Sequence, residues 1–191
     1  MIDAAITHIA KELNQYLKRS FALSEDIVVV SNILEQDGTV AAHVNNKVVV
    51  FLVNIEKDSV PFRPMGGVSG AIDRSLMSSP PIFLNLYLMF AGYFSGNNYQ
   101  EGLKFISTTI GFFQGQPMFD HHNSPDLDSN IDKLILDIEN LDMRDLSTLW
   151  GVLSGRYLPS VLYKVRMISI DSGAVRREIP ALTKPQTLAD H

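Results

Sequence analysis

Apolar residues recur along this chain at two periods, and the period switches at glycines, prolines and asparagines. Ile2, Ile6, Ile9, Leu13 and Leu17 stand three or four apart, with Lys11, Glu12, Gln15 and Lys18 opposite. That spacing predicts an amphipathic helix over residues 2–19. Asp3 near its start and Lys18-Arg19 at its end suit the helix dipole. The polar face lacks the basic character of a membrane-surface helix, so the stripe reads as a face packed on a sheet. Ile27–Leu34 is rich in β-branched residues and reads as a strand. Asp37-Gly38 signals a turn, Thr39–Val44 a short returning strand, and Asn45-Asn46 a second turn. Lys47–Ile55, centred on Val48-Val49-Val50-Phe51-Leu52-Val53, is a strand apolar on both faces, which needs a covering layer or another subunit on each side.

The densest apolar run lies between Pro80-Pro81 and Ser95-Gly96-Asn97-Asn98. Leu84, Leu86, Leu88 and Phe90 fall on one side at period two, and Phe83, Asn85, Tyr87, Met89 and Ala91 on the other. This predicts a strand with one apolar and one mixed face. Ordering its backbone costs about 1–2 kcal/mol per residue, so both faces must find partners and the strand must be central. The run is too short to span a membrane, which takes about 20 apolar residues.

Past that strand, Tyr99–Gln114 reads as a helix with Leu103, Phe105-Ile106, Ile110 and Phe113 inward, Asn97 or Asn98 as its cap, and Gly115-Gln116-Pro117 as its stop. Ile131–Leu141 sets Leu134, Leu136 and Ile138 against Lys133, Asp137 and Glu139, the pattern of a half-buried strand. Asp142 caps a helix from Met143 to about Ser154, with Leu146, Leu149-Trp150 and Leu153 inward and Gly155 ending it. Val161–Ile170 is the last strand, and Asp171-Ser172-Gly173 closes it. Val60–Ser79, with Pro61, Pro64, Gly66, Gly67 and Gly70, reads as a long surface loop. Ala174–His191 has no period and reads as a tail ordered only by a partner.

Composition narrows the function more than it names one. The 191 residues suffice for one domain with a substantial core. A net charge of −5, with no long basic cluster, excludes duplex binding as the expected role. Charged residues make up 19%, somewhat under the usual quarter, so part of the surface is expected to be covered by something other than water. The absence of Cys removes disulfides, thiolate chemistry and most zinc designs. Met1–Ala10 has no basic n-region, so no secretory signal is expected.

Three stretches tempt a chemical reading. Gly66-Gly67-Val68-Ser69-Gly70 lacks the Lys-Ser/Thr pair of a phosphate-binding loop. Gly67-Val68-Ser69-Gly70-Ala71 falls short of the hydrolase elbow, because Ala71 holds the fifth position and no strand precedes it. Asp120-His121-His122 could suggest a metal, but adjacent residues on an extended chain point oppositely and no nearby His or Cys completes a shell. A polar loop is the plainer reading there.

Three blocks point elsewhere. They are the start Ile2-Asp3-Ala4-Ala5-Ile6, the run Leu84-Asn85-Leu86-Tyr87-Leu88 leading through Tyr99 to Gln116-Pro117-Met118, and Leu149-Trp150 followed by Tyr157, Pro159-Ser160 and Tyr163-Lys164-Val165. With them, residues 1–170 resemble the N-terminal domain of the cap, or tail-terminator, proteins of phage-tail-like extracellular contractile injection systems. The loop at residues 60–79 and the tail after Asp171 depart from that likeness. The resemblance implies a non-enzymatic structural protein without cofactor or metal. It implies a six-fold ring on the far end of tube and sheath, which stops polymerisation and holds the sheath extended. The implied partners are other copies of the chain and the sheath and tube subunits, with no nucleic acid and no membrane. The implied setting is a particle assembled in the cytoplasm and capable of release.

The fold expected is α+β, a single mixed sheet of five or six strands flanked by helices, in a domain over residues 1–171 with an extended tail over 172–191. Trp150 is expected in the core or as an interface anchor. Tyr157 and Tyr163 are expected to turn their rings inward, and Pro159 to set the start of the last strand. Asn85, Tyr87 and Ser160 complete the motif set. Arg156, Lys164 and Arg166 are candidates to face a partner or only water. In the tail, Val175, Arg176, Arg177 and Ile179 are candidates to add to a neighbour's sheet edge. The rival functions are a serine hydrolase using Ser69 with His121 or His122, and a transient assembly chaperone or adaptor.

Overall fold

Residues 1–58, 82–153 and 156–169 are described by a computed structural model of the chain. Helix α1 (Ile2–Phe21) turns its stripe inward and buries Ala5, Ile6, Ile9, Ala10, Leu13 and Leu17, together with His8. Strand β1 (Val28–Val30) is shorter than its β-branched run predicts. The returning strand expected at Thr39–Val44 reduces to one bridge between Leu34 and Val40. The turn between them holds, with Gly38 in the left-handed region at φ 80°.

Strand β2 (Lys47–Lys57) runs parallel to β1 and antiparallel to β3 (Ile82–Tyr93). Strand β3 is followed by α2 (Tyr99–Gly115), β4 (Met118–Asp120), β5 (Ile131–Ile138), α3 (Met143–Leu153) and β6 (Ser160–Ser169). The six strands form one mixed sheet in the order β1-β2-β3-β6-β5-β4. Central placement is what the two-faced pattern of β3 requires. It pairs with β2 on one side and with β6 on the other over nearly its whole length.

One face of the sheet carries Val48, Val50, Leu86, Leu88, Phe90, Leu134, Leu136, Tyr163, Val165 and Met167 against α1 and α2. The rings of Phe90, Phe113 and Tyr163 meet there with centroids 5.0–5.6 Å apart, in tilted and edge-on arrangements. The other face carries Val49, Phe51, Met89, Ala91 and Leu162 against Ile33, Ala41, Val44 and Trp150. The apolar period of β2, β3 and β6 is thereby split between two cores.

Several local expectations change. Helix α2 buries Phe105, Ile106, Thr109, Phe112 and Phe113, while Leu103 is exposed. Gly102 stands against Phe94, where a Cβ would lie 2.9 Å from the ring. Asn98 does not cap α2 with its side chain; its amide donates to Asn46 Oδ1 at 3.2 Å. Met118–Asp120, read as polar loop, is an edge strand paired with Lys133–Ile135. Ile138 is exposed, because β5 passes the end of the core before its apolar alternation stops. Asp142 does cap α3, its Oδ1 accepting from the Asp145 N–H at 2.8 Å. The loop at 60–79, Gly155 and the tail from Asp171 lie outside the described residues.

Candidate functional site

The motif residues separate into three sets once folded. Tyr163 and Trp150 are core side chains, one on each face of the sheet. Burial pushes the Tyr163 hydroxyl up to about 12, and its oxygen has no hydrogen-bond partner among the described residues. Trp150 is 3% exposed, and its indole N–H likewise has no partner there. Pro159 and Ser160 act through the backbone. The Pro159 carbonyl accepts from the Gly92 N–H at 2.9 Å, and Ser160 pairs with Ala91 as β6 begins. Tyr157 departs from its expected place. Its ring stacks edge-on against Trp150, centroids 6.0 Å apart, yet the residue is 61% exposed. The three residues Tyr157, Leu158 and Pro159 precede β6 without pairing into it as a strand, so nothing turns that ring under the sheet.

Asn85 and Tyr87 belong to a polar row on the face that holds Trp150. The Tyr87 hydroxyl donates to Glu56 Oε2 at 2.9 Å, which pushes its own ionisation up to about 12. Asn54 Nδ2 donates to Glu56 Oε1 at 3.3 Å. Asn85 stands opposite Glu56 on β2 and Arg166 on β6. It is 5% exposed, and its Oδ1 has no partner among the described residues. Arg166 Nε donates to the buried Asp58 carboxylate at 2.8 Å. Arg166, a candidate for a partner's surface, is thus engaged within its own sheet, while Lys164 lies in register between Tyr87 and Asp137. Nothing in the sequence period signals this row. By period two Asn54, Glu56 and Asp58 would share the side of Val48, Val50 and Leu52, and it is the register shift between Leu52 and Asn54 that turns Asn54 and Glu56 toward Tyr87 and Asn85.

The groups once weighed for chemistry are occupied by structure. Asp120 Oδ1 accepts from the His122 and Asn123 backbone N–H groups at 2.9 and 3.1 Å, closing a turn. His121 Nε2 lies 2.8 Å from the Ile131 carbonyl oxygen. Among the described residues no group of three or more His, Cys, Asp or Glu side chains could hold a metal ion. Ser69 lies outside the described residues.

What remains open is apolar surface on α3. Helix α3 buries only Trp150, and Met143 and Val152 are 80% and 81% exposed. Met143, Leu146, Ser147, Trp150, Gly151 and Tyr157 line a groove of about 560 Å³. A second groove, about 680 Å³, runs from the other side of Tyr157 along Leu158, Tyr93 and Ile33 to Gly38. Exposed apolar side chains gathered around grooves mark a protein-docking surface more often than a solvated one. Among the described residues no helix is long and apolar enough to cross a membrane.

Comparison with known proteins agrees with this architecture. No curated protein sequence matches the chain significantly. Two solved structures share its fold. One is the sheath/tube terminator, in its extended state, of an extracellular contractile injection system called PVC, at 12% identity and a TM-score of 0.56, covering 96% of this chain and 62% of that one. The other is the tube-terminating cap of the anti-feeding prophage, at 13% identity and a TM-score of 0.56, covering 98% of this chain and 61% of that one. The chain thus spans about three fifths of the length of those proteins. The profile of the Pvc16 N-terminal domain matches residues 4–184, nearly the whole sequence, and the chain belongs to that family.

Proposed function

We propose that this protein is a structural terminator: a subunit that ends the tube and sheath of a contractile injection particle and steadies the extended sheath. The observation that carries this reading is the family match over residues 4–184, in a fold shared with two solved terminators. The surface supports it. Asp120 and His121 are tied into their own turn and strand, while exposed apolar side chains of α3 stand beside one groove and Tyr157 separates it from a second.

In this reading the partners are other copies of the chain, closed into a six-membered ring, and the sheath and tube subunits beneath it. A ring needs one heterologous interface repeated until it closes. The folded domain covers residues 1–171 and supplies the ring wall. The segment 172–191, with Val175, Arg176, Arg177 and Ile179, reaches a partner. No catalysis, cofactor or nucleic acid enters, and the chain acts inside a particle that leaves the cell.

Negative-stain imaging of the purified full-length chain and of whole particles tests the reading. Rings from the isolated chain, and the chain at one end of the particle, are expected. A chain that stays monomeric at high concentration and is missing from purified particles rejects it; such a chain would instead be an assembly chaperone.

A further inference from the structure

Helix α1 and the segment 121–130 each hold a buried polar group with nothing to bond. His8 on α1 is 6% exposed, and its Nε2 has no hydrogen-bond partner among the described residues. In the segment, Ser124 is 3% exposed, and its Oγ is likewise without one. A polar group buried without a partner is worse off than in water, so a motion that wets both groups is favoured.

The segment joins the edge strand β4 to β5 and is lightly fastened to the helix. Leu127 is its buried anchor in the core that α1 covers. Lys11 Nζ donates to Asp126 Oδ2 at 2.8 Å, 115 positions away in the chain, in an ion pair open to solvent. The turns close on their own backbone, Ser124 N–H donating to the Asp120 carbonyl and Leu127 N–H to the Ser124 carbonyl. The segment can therefore lift as a unit. Between it and α1 lies an open cavity of about 550 Å³, lined by Thr7, His8, Lys11, Asp126, Asp128 and Asn130.

The ring of His8 sits edge-on to Phe119 of β4, centroids 5.6 Å apart. A proton there would put a charge into an apolar contact. The charged groups around it are Lys11 and Glu12 on α1 and Asp126 and Asp128 in the segment. From β4 it meets the uncharged Phe119 ring, while the Asp120 carboxylate is held by the N–H groups of its own turn. Desolvation outweighs the attraction of Glu12 and Asp126 and, with Lys11, holds the pKa of buried His8 below its ordinary value. A ring turned out into the cavity is wet and stands among carboxylates, so it takes a proton more readily.

We propose that His8 is an acid-sensitive latch: once protonated it leaves Phe119 for the cavity, competes with Lys11 for Asp126, and lets residues 121–130 lift from α1. The latch does not depend on the terminator reading. The opened form binds the proton more readily than the closed one. Opening therefore grows as pH falls below about 6.5, by up to about tenfold per unit. Above that pH the latch stays shut.

Amide exchange of the full-length chain at pH 7 and pH 5 tests this, corrected for the intrinsic effect of pH on exchange. The reporters are Ser124, Leu127 and Ile131, whose N–H groups bond within or beside the segment. They should exchange faster than the amides of α2 at both pH values, and about fivefold or more faster at pH 5 than at pH 7. In His8→Leu that acceleration should vanish; His8→Gln, which also cannot titrate, serves if the leucine variant does not fold. No acceleration, an acceleration that survives loss of the imidazole, or reporters that open only together with α2 overturns the latch.

Discussion

The two faces of one sheet are built to different standards. Against the face that carries Leu86, Leu88 and Phe90, α1 buries seven residues and α2 six, and aromatic rings fill the space between them. Against the opposite face, α3 fully buries Trp150 alone and packs Leu146, Leu149 and Leu153 only partly, and the rest of the cover is the irregular segment around Ile33, Ala41 and Val44. Beyond that cover the same face turns polar, with Asn54, Glu56, Asp58, Asn85, Tyr87 and Arg166 in cross-strand contact. The first face holds the fold together. The second is held lightly and keeps apolar side chains in reserve, as suits a surface completed by a neighbour. A helix that contributes little to its own domain can change partners without unfolding the rest.

The contrast can be broken by substitution. Phe113→Ala removes a ring from the two-helix face, and a loss of about 3–5 kcal/mol is expected in urea unfolding. Trp150→Ala is expected at the low end of that range, about 3 kcal/mol, because α3 buries only that side chain fully, and its partly buried Leu146, Leu149 and Leu153 can settle into the gap. Amide exchange sharpens the point: α3 should lose its protection in this variant while α1 keeps it. Equal loss in both helices would mean that the faces are not independent.

Smaller effects probe each face alone. Asp142→Ala removes the cap of α3 and should cost about 1 kcal/mol, read best as faster exchange in that helix. His8 is buried on α1, edge-on to Phe119, and desolvation holds its pKa below the ordinary value despite Glu12 and Asp126 nearby. The unfolded chain then binds the proton more readily than the folded one. Stability should be full above about pH 6.5 and decline as pH falls below it. His8→Leu should flatten that decline in unfolding curves taken from pH 7 to 5. Smallest of all, Val152→Lys on the open side of α3 should shift stability by no more than about 0.5 kcal/mol. Its effect should appear in assembly instead; a large loss of stability in the isolated chain would show that the side chain is already packed.

Much of this was legible before folding. The split of β3 into Leu84, Leu86, Leu88 and Phe90 on one side and Asn85, Tyr87 and Met89 on the other follows from period two, and so does the need for cover on both sides. Helix α1 and the Asp142 cap follow from spacing and from side-chain chemistry close by in the chain. The site was harder to read. Tyr157 looks like a core ring by type, but it sits where the chain has not yet joined the sheet. Leu103 fits the stripe of α2 by count, yet the buried face is centred on Gly102, Phe105, Ile106, Thr109 and Phe113 and takes in Phe112, which leaves Leu103 to one side.

The sequence by itself set the identity of the main helices and strands and the two-sided burial of the central strands. Those depend on residues a few positions apart, whose geometry is fixed by backbone period. Only the tertiary structure decided that Met118–Asp120 would be an edge strand and that Arg166 would pair with Asp58. It alone left α3 thinly covered. Those outcomes join residues distant in the chain, and no local pattern encodes which distant surface a side chain will meet.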